Sequence, residues 1–131
     1  MKLVVIIALT VGLLACGGDP GKRFFALEAE MLEVLAPYPN DAAAATRALC
    51  AWMSEHEERI VQVRKEFEAY EQQVEASKDK AAIGILRARK EVMSKRYRES
   101  FNPHVDDPVF WKAGWWFASP SGPVSAVCPK G

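Results

Sequence analysis

Several kinds of catalytic apparatus are missing from this 131-residue chain. It has two histidines and three cysteines, and none of its serines, cysteines or lysines stands in a recognisable nucleophile motif. No glycine-rich phosphate loop is present, and neither Cys50 nor Cys128 belongs to a Cys-x-x-Cys pair, which removes the usual signatures of nucleotide binding and thiol redox chemistry. Charge of one sign is lacking too: 17 basic side chains balance 17 acidic ones, so nothing in the net charge argues for a nucleic-acid partner. The longest apolar run covers residues 3–14. That is too short for a transmembrane helix, which needs about 20 residues.

What is there begins with that run. Lys2 supplies a positive charge and residues 3–14 follow with only Thr10 and Gly12 as mild polar interruptions, the charged and apolar regions of an export signal. The run ends in Leu13-Leu14-Ala15-Cys16-Gly17, an aliphatic residue three before a cysteine and a small residue directly before it.

This stretch resembles the lipobox of bacterial lipoproteins. The resemblance covers residues 1–17 only, and it implies that the thiol of Cys16 carries a diacylglycerol, that the leader of residues 1–15 is removed, and that Cys16 becomes the acylated first residue. Two or more acyl chains anchor a protein stably where one holds it marginally, each buried methylene adding about 0.8 kcal/mol. The implied location is the bacterial cell envelope, on the exported side of a membrane. Removing the leader leaves a chain sized for a single small domain with a modest core.

With Cys16 taken by lipid, Cys50 and Cys128 remain, in a compartment where disulfides persist. Two cysteines alone make a poor zinc site, so they are expected to form a structural bridge.

Residues 16–21 are read as the lipidated cysteine and a flexible Gly-Gly-Asp-Pro-Gly tether. From Lys22, Phe24, Leu27, Met31 and Val34 or Leu35 recur at helical spacing, with Glu28, Glu30 and Glu33 between them, and Pro37 and Pro39 end this first helix. Asn40 or Asp41 then suits an N-cap. From there Leu49, Met53, His56, Ile60, Val63, Phe67, Tyr70 and Val74 alternate by steps of four and three, a seam sustained for more than three heptads. The stripe restarts on Ala82, Leu86, Met93, Tyr97 and Phe101, which predicts a turn near residues 77–80 and a third helix over 79–100.

Two features favour a hairpin over one continuous helix. Residues 41–77 hold eight acidic and four basic side chains while 78–101 hold eight basic and three acidic ones, and opposite charges suit antiparallel neighbours. In a straight helix Cys50 and Phe101 would be about 76 Å apart, and the chain from there to Cys128 would have to be almost fully extended to return.

Beyond Asn102-Pro103 the pattern weakens. Asp107-Pro108 resembles an N-cap followed by proline at the first helical position, which allows a short turn over 109–113. Residues 115–118 are apolar and aromatic, Ser119-Pro120-Ser121-Gly122 has turn chemistry, and residues 123–128 are valine-rich, so the expectation is a weak β-hairpin or an extended wrap over the helices.

Four groups of side chains invite a functional reading. His56, with Glu55, Glu57 and Glu58 beside it, lacks a second histidine four residues on and is read as a polar seam residue that sets register. His104, Asp106 and Asp107 have ligand chemistry, yet loop polarity and helix capping account for them equally well. Arg87, Arg89, Lys90, Lys95, Arg96 and Arg98 form a basic face that can meet anionic lipid, about half of it expected to face the acidic second helix. Trp111, Trp115 and Trp116 lie within six residues, flanked by Phe110 and Phe117; these rings either cap the open end of the helices or stand out as a binding anchor.

The reading is thus a mainly α protein: a small three-helix, helical-hairpin bundle over 22–101, with an irregular Trp-rich tail over 102–131 that can form a β-hairpin. It is expected to be a non-enzymatic envelope module without metal or cofactor, held to a membrane through Cys16 and meeting another envelope protein through Trp111, Trp115 and Trp116. The alternative is a carrier or sensor of a small apolar or aromatic ligand, lined by Trp111, Trp115, Trp116, Tyr97 and Trp52.

Overall fold

The computed structural model describes residues 19–128, and it is mainly helical, with five α-helices and no strand among the described residues. The leader, Cys16 and the two glycines after it lie outside them, as do residues 129–131. No helix in the described part is long and apolar enough to cross a membrane.

Helix α1, Pro20–Leu35, starts earlier than the sequence pattern suggests. Asp19 is its N-cap, accepting a 2.7 Å hydrogen bond from the Gly21 amide, and Pro20 occupies the first turn, where its missing N–H costs nothing. The expected tether of residues 16–21 therefore ends at Asp19. Gly21 is buried, and a Cβ there would lie 3.2 Å from the Tyr70 ring, so the start of α1 is packed against a neighbour.

The long second helix is two helices, α2 (Ala42–Glu55) and α3 (Glu57–Ser77), separated by a bend at His56. Asp41 caps α2 by accepting from the Ala44 amide at 3.0 Å. Neither proline nor glycine marks the bend, and His56 still donates its amide to the Trp52 carbonyl and accepts from Ile60. The two segments differ in what they bury. Helix α2 buries a broad face, Ala45, Thr46, Leu49, Cys50, Trp52 and Met53, because it packs on two partners, while α3 buries the narrower stripe Ile60, Val63, Phe67 and Val74. The seam positions hold on both sides of the bend. His56 is half-buried at the break instead of sitting in the core.

The turn falls where the stripe is interrupted. Lys78 adopts a left-handed conformation (φ 56°) and Asp79 caps α4, Lys80–Phe101, by accepting from the amides of Ala81 and Ala82. The hairpin is open, however. Helix α1 packs more extensively on α3 and on α4 than those two pack on each other, so it lies between the arms. Phe24 of α1 stacks on Phe67 of α3 with ring centroids 3.9 Å apart, and Arg23 pairs with Glu66 at 2.9 Å.

The tail departs most from expectation. Residues 115–118 belong to a helix, α5 (Pro108–Ala118), and not to a β-hairpin or extended wrap. Asp107 caps it through the amides of Val109 and Phe110, both at 3.0 Å. Phe110, Ala113, Gly114 and Phe117 recur at steps of three, one and three and face the core, a helical period that a dense aromatic run disguises. Beyond α5 the chain turns through Gly122 (φ 72°) into a single 3-10 turn at Val124–Ala126. Two links hold this end. Cys50 and Cys128 form a disulfide with Cα atoms 5.7 Å apart, and the Val124 amide donates a 2.6 Å hydrogen bond to Glu57 at the start of α3.

Candidate interaction surface and charged cleft

Helix α5 divides the tryptophans. Trp116 is buried and its indole N–H donates to the Gly122 carbonyl at 3.0 Å, which fixes the turn. Trp111 and Trp115, four residues apart on the outer face, are 42% and 58% exposed, and their rings meet edge to face with centroids 6.0 Å apart. Of the three tryptophans proposed for binding, one is therefore core and two form a joined surface feature. Val109, 45% exposed, stands on the same short helix.

The five rings expected to line a ligand pocket go to separate neighbours. Trp52 is buried beside Phe117 and donates to Glu30 at 3.1 Å; Tyr97 stacks on Phe101 at 4.0 Å and donates to the Gly114 carbonyl at 3.4 Å; Trp111 and Trp115 face outward. Gly114 is what permits the packing around Tyr97, because a Cβ there would come within 2.4 Å of the Phe101 ring.

The other polar candidates resolve into structural roles. His104 is buried against the Phe110 ring, with centroids 4.8 Å apart, Asp107 is the cap of α5 and Asp106 is exposed. No group of three ligating side chains is close enough to hold a metal among the described residues. On the basic face of α4, Lys90 pairs with Glu71 of α3. Arg87, Arg89, Lys95, Arg96 and Arg98 are exposed, because the intervening α1 keeps most of the acidic helix out of reach.

A charged cleft was not anticipated. Between α1, α3 and α4 lies a cavity of about 320 Å³ bordered by Phe24, Glu28, Arg64, Lys90 and Tyr97. Arg64 lies 4.8 Å from the Phe24 ring centroid and 5.1 Å from that of Phe117, so its guanidinium is held by two aromatic faces. Its nearest carboxylate is Glu28 at 4.0 Å, and its Nε is buried without a hydrogen-bond partner. Burial pushes the Glu28 carboxyl up to about 7, against the pull of Arg64 and Lys90. Burial also lowers Arg64 and raises the Tyr97 hydroxyl. By contrast Glu30, hydrogen-bonded by Arg59 at the surface, is held below the ordinary carboxylate value.

The sequence does carry a trace of this cleft. Glu28 directly follows the buried Leu27 and Arg64 the buried Val63, so each charge stands beside a seam position. A charge at the margin of an apolar seam is the signal.

With this geometry in hand, comparison with known proteins returns nothing: no family model, no curated protein and no solved structure matches the chain.

Proposed function

We propose that this protein is a non-enzymatic envelope module, tethered to a membrane by lipid on Cys16, that captures a protein partner through Trp111 and Trp115. The observation that carries the reading is the exposed, edge-to-face tryptophan pair on a helix whose other face is fully used in the core. Large aromatic side chains are costly to leave in water, and tryptophan dominates the energetic centres of protein interfaces. Rigid presentation supports it further, since α5 is capped at one end and tied through Trp116, Val124 and the disulfide at the other.

A photo-reactive amino acid at Trp115 in the lipidated protein tests the reading. A discrete protein adduct in native membranes, lost on Trp111→Ala with no change in unfolding midpoint, is the expected result. Absence of any adduct from Trp115, or an adduct indifferent to Trp111→Ala, overturns it.

A further inference from the structure

Helix α4 carries a second unpartnered face. Ile85, Arg89, Val92 and Arg96 recur at steps of four, three and four, a single row along the helix, beside the row of Leu86, Met93 and Tyr97 that turns inward. Ile85 is 59% and Val92 62% exposed. Between this row and α1 runs an open apolar groove of about 460 Å³, with Phe25, Ala88, Val92 and Met93 as its lining and Lys22 and Arg89 at its edges. Lys22, Arg89 and Arg96 form no ion pair among the described residues. Aliphatic side chains interleaved with unpaired cations match a surface that lies in the headgroup layer of an anionic membrane.

The tether places this face. Asp19 caps α1, and only Gly17 and Gly18 separate it from Cys16. Three residues reach about 10 Å at full extension, and Lys22 is on the first turn of the same helix. Whatever surface holds Cys16 therefore lies within reach of the end of α1 that borders the groove.

We propose that the α1–α4 face, centred on Val92 and Arg89, rests on the anionic lipid surface in which Cys16 is anchored. The proposal depends on the lipid anchor proposed above, and the two fail differently. Contact with lipid orients the domain: the basic row faces the membrane and α5 faces away from it. The basic face of α4, which finds only one ion-pair partner among the described residues, thereby acquires a role.

The test uses the lipidated chain. Because Cys50 and Cys128 are paired and Cys16 is acylated on this reading, Val92→Cys introduces the one free thiol, and Val61→Cys, at a 43% exposed site on α3, does the same away from the groove. Each is spin-labelled and reconstituted into vesicles of phosphatidylcholine alone or of an equimolar mixture with phosphatidylglycerol. The expected result is a Val92 label protected from a water-soluble relaxation agent in the anionic vesicles, with a Val61 label that remains accessible. Arg89→Glu with Arg96→Glu should restore accessibility at Val92, each basic residue being worth about a fivefold change in surface partition. A protein that floats with the vesicles while both labels stay equally accessible refutes the membrane-facing surface and leaves the anchor standing. A protein that does not float with either vesicle refutes the anchor, and the surface falls with it.

Discussion

Replacing Glu28 by glutamine should stabilise the protein at pH 8, although it breaks an ion pair. In the fold the carboxyl titrates near 7, against 4.5 for an ordinary glutamate, because burial outweighs the attraction of Arg64 and Lys90. The raised value means that the folded state holds the proton more tightly than the unfolded chain. The stabilising contribution is fully present below pH 4.5 and is lost as pH rises through 7. Each tenfold difference in proton affinity is worth about 1.4 kcal/mol, so the loss is of order 3 kcal/mol as an upper figure, since 12% of the Glu28 side chain remains exposed. The attraction of Arg64 at 4.0 Å is already contained in that balance. Glu28→Gln keeps the shape and removes the titration. Urea unfolding of wild type and variant across pH 4 to 9 reads the effect as a difference, in which all other titrating groups cancel. Similar stability is expected at the acid end, with the variant gaining by about 2 to 3 kcal/mol above pH 7. Parallel profiles would refute the argument that burial controls this carboxyl. A variant less stable at pH 8 would show that the Arg64 pair outweighs the cost of burial.

Three further perturbations probe the frame. The Cys50–Cys128 bridge spans a sequence separation of 78 residues, for which chain entropy allows up to about 4.5 kcal/mol and disulfides typically return about 2 to 4 kcal/mol. The double variant Cys50→Ala, Cys128→Ala should lose about 3 kcal/mol and melt roughly 15 °C lower by calorimetry; an unchanged melting temperature would mean that the tail is held by its packing alone. Gly114→Ala should destabilise by about 1 to 2 kcal/mol, since the new Cβ meets a Phe101 ring already stacked on Tyr97 and set edge to face against Phe110. Gly84→Ala, with nothing within 4 Å, should stabilise by up to about 1 kcal/mol through helix propensity. A denaturant midpoint that rises for Gly114→Ala would contradict the close approach at Gly114, and one that falls for Gly84→Ala would contradict the open space at Gly84.

Much of the fold is legible in the sequence because its signals are local. The seam from Leu49 to Val74, the prolines after Leu35 and the cap at Asp41 each depend on residues within a turn or two, and the structure follows them. The bend at His56 leaves no such mark. It arises because α2 packs on α5 and α1 while α3 packs on α1, and a straight seam cannot serve both sets of partners. In the tail, Phe110, Ala113, Gly114 and Phe117 do carry a helical period, but the neighbouring tryptophans are equally apolar and blur it; only packing separates the buried Trp116 from the exposed Trp111 and Trp115.

The same division governs the charges. Composition and order alone determine that the second and third segments are oppositely charged, that Cys50 and Cys128 are available to each other, and that a lipobox-like stretch precedes the first helix. Which charges meet is a tertiary matter. Because α1 enters between the arms of the hairpin, Glu28 and Arg64 are half-buried together while the arginines of α4 are left facing outward. Burial decides the state of the first pair and exposure the availability of the others, and both depend on where a distant helix comes to lie, which a local pattern cannot encode.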